Sequence, residues 1–213
     1  MKHRRPAALA VTSAFLLLPL LAGCRYLAAP FLLWGEEPTK KVEAKYPYME
    51  AKKVCILVWA EQDTLFEYPN VRYEVAEWIA TELKGIKDVA IVPNRSVVDY
   101  QAREQDWDRM NPALIGARFK ADRVLAIELT QYTTREPDSP HLYRGHISAN
   151  LKVYDCAQTD AGPTFRTQVT SAFPPNGTTE WGTDDRMIRK DTMAQFAVDV
   201  VNNFRDRVEK VKN

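Results

Sequence analysis

The sequence predicts an α/β fold: a mixed β-sheet of about five strands with helices packed on it, in the order β-α-β-α-β-β-β-α. Three observations carry that reading. The run "KVCILVWA" is continuously apolar, as expected of a strand covered on both faces. Two later segments, "HISANLKVYD" and "FRTQVTSAF", place apolar residues at every second position. The C-terminal region instead repeats them at helical spacing.

The elements follow in order. The domain is expected to start at Lys52, with "KVCILVWA" as the first and central strand and "EQDTLFEYPN" as a loop. Asn70 is a candidate N-cap for a helix that places Val71, Val75, Trp78, Ile79 and Leu83 on one face. Gly85 can stop it. "DVAIVP" reads as a second strand. "SVVD" after it has the form of a capping box, Ser96 with Asp99, opening a short helix. Asn111-Pro112 starts another helix with proline at its first position, leading through "ALIGARFKA" into the strand "RVLAIELTQY".

Ile147, Ala149, Leu151 and Val153 share one face of the next strand. Phe165, Thr167, Val169, Ser171 and Phe173 share one face of the last. The intervening "CAQTDAGPT" has the Asp, Gly and Pro of a hairpin loop. Met193, Phe196, Ala197, Val200, Val201, Phe204 and Val208 then form the apolar stripe of a long C-terminal helix. Alternation of strands and helices closes a sheet with helices against it.

Ahead of this domain, residues 1–23 read as a signal peptide. A basic start, MKHRR, precedes an uncharged apolar run from Pro6 to Gly23 that ends in small residues. Leu21-Ala22-Gly23-Cys24 looks like the lipobox of bacterial lipoprotein signal peptides, in which a thiol becomes the thioether to diacylglycerol. Two other readings stand beside it. An uncleaved anchor from Pro6 to Trp34 would hold Arg25 inside the span, at about 2.5–3.5 kcal/mol if central. A plain signal peptide would make the cysteine incidental.

With Cys24 acylated, two or more chains, at about 0.8 kcal/mol per buried methylene, anchor the protein stably. Residues 24–51 then form the lipidated N-terminus and a tether, and 52–213 the α/β domain. Tyr26 to Trp34 suits either a bilayer surface or the domain. Arg25 is not the Asp that retains lipoproteins in the inner membrane of typical two-membrane bacteria. The outer membrane facing the periplasm is therefore favoured, with the inner membrane as the alternative.

Composition excludes some partners. Of 29 basic residues, Lys2, Arg4 and Arg5 leave with residues 1–23, so 26 basic face 28 acidic side chains in a mature chain of net charge −2. No block of like charge stands out, so nucleic acid is not an expected partner. A mature length of 190 residues, 23 fewer than the full 213, suits one domain with a tether. Beyond Cys24, Cys55 and Cys156 remain: an oxidising compartment permits a disulfide, and buried free thiols are the alternative. Their spacing fits no metal pattern.

With those elements placed, the chain resembles the family of small α/β envelope domains that includes the N-terminal domain of TolB, the CsgG-like lipoproteins and LpoB. "KVCILVWA", "VAEWIATELKG" and "VAIVPNRSVVD" resemble its first strand, helix and second strand. "IGARFKADRVLAIELTQY" resembles its helix-to-strand segment, and "ISANLKVYDCAQTDAG" its strand and following turn. The resemblance implies binding and assembly in the envelope, with contacts to other proteins, and it leaves oligomerisation open. A pore would need further amphipathic hairpins of roughly ten residues per strand, and the core strands use nearly all the alternating sequence.

Candidate chemistry is sparse. His141 and His146 lie five apart, which suits neither a strand face nor a helix face for a metal. Asp106 and Asp108, like Glu61 and Asp63, could pair carboxylates, but no nucleophile or glycine-rich loop accompanies them. Ser96 and Ser171 lack a nucleophile elbow. Asn176-Gly177-Thr178 fits a glycosylation sequon, though a turn is the simpler account. No metal and no catalytic residue is expected, and no cofactor beyond the lipid on Cys24.

The features that point to binding are two aromatic loops. "WAEQDTLFEYPN" follows a buried strand, where α/β sheets often place ligand sites. Trp59, Phe66 and Tyr68 could form an apolar anchor of the kind interfaces use, or cap the edge of the core. "FPPNGTTEWG", with Phe173 and Trp181, is a second such loop. The sequence thus leads to a non-catalytic cell-envelope lipoprotein whose domain binds or scaffolds an envelope protein. The alternative is a periplasmic small-ligand or glycan-binding module, which a pocket with convergent polar groups would favour.

Overall fold

The computed structural model describes residues 39–136, 139–177 and 184–210. Two compact units divide the chain, and Val42–Arg207 is the larger. In the smaller, described residues 39–41 and 208–210 belong to a two-stranded sheet of β1 (Thr39–Val42) and β7 (Arg207–Lys210). Cys24 and Trp181 lie outside the described residues, as do the rest of residues 1–38, which hold the proposed signal peptide and the first part of the tether.

The larger unit is built on a five-stranded mixed sheet. Its strands are β2 (Lys53–Ala60), β3 (Ala90–Ile91), β4 (Arg123–Glu136), β5 (Ser139–Asp155) and β6 (Phe165–Phe173), in the order β3-β2-β4-β5-β6. β2 runs parallel to both neighbours, and the β4-β5-β6 meander is antiparallel. The first strand is thus not the central one. β3 contributes only two residues on its far side, so β4 takes the middle place.

The continuous apolar run of β2 is explained by helices on both sides. Val54, Ile56, Val58 and Ala60 face one side, together with Leu125, Ile127 and Leu129 of β4 and Ile147, Ala149, Leu151 and Val153 of β5. Helices α2 (Val71–Leu83) and α5 (Asp185–Val201) cover that face. Each large aliphatic or aromatic side chain fully buried there contributes about 1.5–3 kcal/mol. Cys55 and Leu57 face the other side, toward α3 (Asn94–Arg103) and α4 (Pro112–Arg118). α4 approaches closely because residue 116 is glycine: a Cβ there would stand 2.6 Å from Cys156 Sγ.

Several local expectations are corrected. "EQDTLFEYPN" contains the short helix α1 (Gln62–Glu67), closed by Tyr68 N–H donating to Thr64 O at 2.8 Å. Helix α3 starts after Pro93, whose ring fixes a helix-compatible φ, so Ser96 lies inside the first turn and forms no capping box. Asn70 stands at the N-cap of α2 without a side-chain cap bond. Asn111 does cap α4, accepting from Ala113 N–H at 3.0 Å.

At the C-terminus the stripe from Met193 to Phe204 is buried as expected. The helix nevertheless ends at Val201, where Asn203 Nδ2 donates to the carbonyls of Asp199 and Val200. Val208 therefore lies on β7 and is 68% exposed. The domain also begins earlier than Lys52. Tyr46 and Met49, read as tether, are buried core residues, with the Tyr46 ring packed at a tilt against Phe165 and edge-on to Phe204.

Cys55 and Cys156 are free thiols. Cys55 is paired in register with Val124, while Cys156 continues β5 and donates its N–H to Asp122. Strand β4 therefore lies between them. Two strand spacings, about 9.5 Å, exceed the 7 Å over which Cα atoms can be bridged.

Candidate functional site

Among the described residues, the second face of the sheet is covered over β2 and the start of β4 only. Beyond them, the even-numbered residues of β4 and β5 turn from apolar to polar. Val124 gives way to Ala126 and Glu128, and Tyr154 to Lys152, Asn150 and Ser148. Among the described residues no helix packs over Arg166, Gln168 and Thr170 of β6, which are exposed.

Where the helical cover stops, a groove of about 350 Å³ remains. Leu57, Trp59, Trp107, Asp108, Met110 and Pro112 line one side, and Ala126, Glu128, Asn150, Lys152 and Tyr154 the floor. Lys152 Nζ donates to Glu128 Oε2 at 3.2 Å, and Glu128 and Asn150 are opposite one another in the antiparallel register. Three aromatic rings thus surround a cation, a carboxylate and a carboxamide.

Each wall is held in place. Trp107 sits in a single 3-10 turn, Trp107–Arg109, and is buried beneath the Arg72 guanidinium, 5.4 Å from its ring centre. Burial pulls Arg72 below the usual guanidinium range, and nearby Asp108 opposes that shift. Met110 is fixed by Tyr100, whose hydroxyl donates to its sulfur at 3.4 Å. Asn111 Nδ2 donates to Thr159 O at 2.5 Å, tying this wall to the β5–β6 loop.

The residues singled out in sequence are not brought together. Trp59 lines the groove. Tyr68 lies under the other face, buried against Tyr132 with ring centres 4.6 Å apart, and its hydroxyl is 3.4 Å from Thr134 Oγ1. Phe66, on α1, is 90% exposed. The three therefore do not form one anchor, because Trp59 has the parity of Cys55 and Leu57 and faces the second side, while Tyr68 packs on the face that α2 covers. Phe173 is half-buried at the end of β6.

Asp106 and Asp108 are exposed, and Asp106 pairs with Arg109 at 3.6 Å. In "DWD" the residue that shapes the groove is the tryptophan between the two acids. The sequence signal of Glu128 and Lys152 is the polar parity of strands whose other parity is apolar; Tyr154 carries none of its own. His141 is exposed, and His146 Nε2 lies 3.5 Å from Glu136 Oε2. Ser171 donates to Asp199 Oδ2 at 2.6 Å, a link between β6 and α5. No group of three metal-ligating side chains occurs among the described residues. No helix of the described residues is long and apolar enough to cross a membrane.

No protein-family model matches the sequence, and neither does any curated protein. Solved structures do. A PelC dodecamer from Paraburkholderia phytofirmans aligns at 14% identity and a TM-score of 0.45, over 81% of this chain and 100% of its own. Lipoprotein GNA1162 from Neisseria meningitidis aligns at 15% identity and 0.41, over 68% and 98%. A minor lipoprotein from Acinetobacter baumannii aligns at 10% identity and 0.38, over 73% and 92%.

Proposed function

We propose that the protein is a non-catalytic lipoprotein of the cell envelope, anchored through Cys24, whose α/β domain binds an envelope protein through the groove on its second sheet face. The observation that carries the reading is the groove itself. Trp59 and Trp107 on its side and Tyr154 on its floor surround a Lys152–Glu128 pair. Aromatic anchors around a few oriented polar groups are what protein interfaces use at their centres. The lipobox supports the anchor, and the uncovered half of the sheet supplies the surface.

A second reading is favoured by the convergence of Glu128, Asn150 and Lys152 on one concave floor. Stacking rings beside fixed polar groups also suit a small polar ligand such as a sugar. Crosslinking and pull-down from intact envelopes tests the first reading, comparing wild type with a Trp59→Ala, Lys152→Ala variant. A specific protein lost from the variant supports it, and an unchanged partner list sinks it. Calorimetric titration with envelope oligosaccharides tests the second. Mass spectrometry of the mature N-terminus tests the anchor: an unmodified Cys24, or retention of residues 1–23, overturns it.

A further inference from the structure

The outer strand β6 has a pattern that reads alike in both directions. From Phe165 to Phe173 it runs Phe-Arg-Thr-Gln-Val-Thr-Ser-Ala-Phe. About Val169, Phe165 mirrors Phe173, Thr167 mirrors Ser171, and Gln168 mirrors Thr170. On one side β6 pairs with β5 over all nine residues without a register break. On the other, among the described residues, it is the last strand of the sheet.

Sheets usually blunt such an edge with proline, lysine, a bulge or a very short strand. The opposite edge follows that rule, since β3 has two residues. Among the described residues, β6 has of such devices only the single charge of Arg166. It has no proline or lysine, and its nine residues span about 30 Å.

We infer that β6 is a self-association edge, pairing antiparallel with β6 of a second copy about a two-fold axis at Val169. In an antiparallel pair, directly opposed residues point to the same face. The axis would set Phe165 against the copy's Phe173, Thr167 against Ser171 and Gln168 against Thr170. Val169 would meet itself. Like chemistry meets like at each of these positions, and the one charge, Arg166, meets Ala172. No like charges are opposed, so no repulsion stands against a self-complementary interface. The paired sheet would carry α5 of both copies on one face. Gln168 and Thr170 would lie together on the other, exposed side.

A strand of another sequence would not gain from the mirror pattern, so a second copy is the occupant it specifies. The edge is separate from the groove, and neither proposal depends on the other.

The register is tested by cysteine pairing in the full-length protein, solubilised in mild detergent. Gln168→Cys and Thr170→Cys, mixed under mild oxidation, should form a crosslinked dimer, because opposed Cα atoms lie about 4.5–5.5 Å apart. Each alone, and Arg166→Cys mixed with Thr170→Cys, should crosslink far less, because diagonal neighbours stand about 7–8 Å apart. Wild type gives the background from Cys55 and Cys156. The variant Gln168→Lys, Thr170→Lys places lysines opposite one another on exposed positions. It should keep the circular dichroism of the fold and lose the dimer in analytical ultracentrifugation. A wild-type monomer at all concentrations, equal crosslinking in the control mixture, or a dimer surviving the double lysine variant would each overturn the proposal.

Discussion

Gly145 of β5 lies directly against the side chain of Thr192 on α5. A Cβ built at residue 145 would stand 2.7 Å from Thr192 Cβ and 2.9 Å from its Cγ2. At this contact the long β4–β5 hairpin crosses the helix that covers the main core. Thr192 is fully buried and its hydroxyl donates to Ile188 O at 2.6 Å, so it cannot swing away.

Gly145→Ala is therefore expected to destabilise by overpacking, by about 1–3 kcal/mol. Thr192→Ala removes the two branch atoms but keeps the Cβ, so the double variant should recover part of that loss. Urea denaturation of the four proteins in a double-mutant cycle measures the coupling. Strict additivity would show that the two positions do not share the strain.

That contact also marks where sequence reading ran out. Fold class, strand parity and most helix positions were legible, because burial imposes period two on β4–β6 and helical spacing on α2 and α5. Gly145 carries no such signal: its role appears only once a helix from 40 residues later lies across it. The groove was half legible for the same reason. Trp59 follows a buried strand, which is a local pattern. Trp107, Glu128 and the β5 residues Lys152 and Tyr154 come from three places in the chain and meet only in the folded sheet. Tyr68 takes the core alternative, and adjacency in sequence does not say on which side of a sheet the next helix packs.

Gln101 has a specific structural task. Since β3 stops after two residues, the outer edge of β2 beyond Val54 has no strand partner among the described residues, and buried Gln101 donates from Nε2 to Val58 O at 2.9 Å. Gln101→Leu keeps the volume and leaves that carbonyl without its donor, which costs about 1–3 kcal/mol. Thermal denaturation and hydrogen exchange along β2 would read the loss. An unchanged midpoint would mean that the carbonyl finds another donor.

Alkaline stability should fall because of Cys55. Burial, with a smaller contribution from Cys156, pushes its thiol up to about 12 from 9.0, and Cys156 is raised to about 11 for the same main reason. Between about pH 9 and the folded values the unfolded chain has lost these protons while the native state keeps them. Stability therefore decreases with rising pH across that window, by about 1.4 kcal/mol per pH unit for each group fully in this regime. Below pH 9 these thiols contribute no pH dependence. Cys55→Ala should lower overall stability through its cavity while flattening the slope above pH 9. Neither thiol should react quickly with a maleimide at pH 7 unless the protein unfolds.

The pair on the groove floor should matter for binding and not for folding. Lys152 and Glu128 are 37% and 41% exposed at their side chains, so their 3.2 Å contact is solvent-screened. Exposed pairs contribute about 0–1 kcal/mol. Glu128→Ala and Lys152→Ala should each shift stability by no more than that, and the swapped variant Glu128→Lys, Lys152→Glu should restore the attraction. A ligand seated on the floor meets the charges in fixed positions: Glu128 beside Trp59 on the β2 side, and Lys152 one strand further out. The swap keeps the pair and the net charge but inverts that order. Binding, followed by the fluorescence of Trp59 and Trp107, should therefore be lost in the swap while the melting curve stays in place. Retained binding in the swap would show that the floor only fills space, and that the aromatic walls alone hold the ligand.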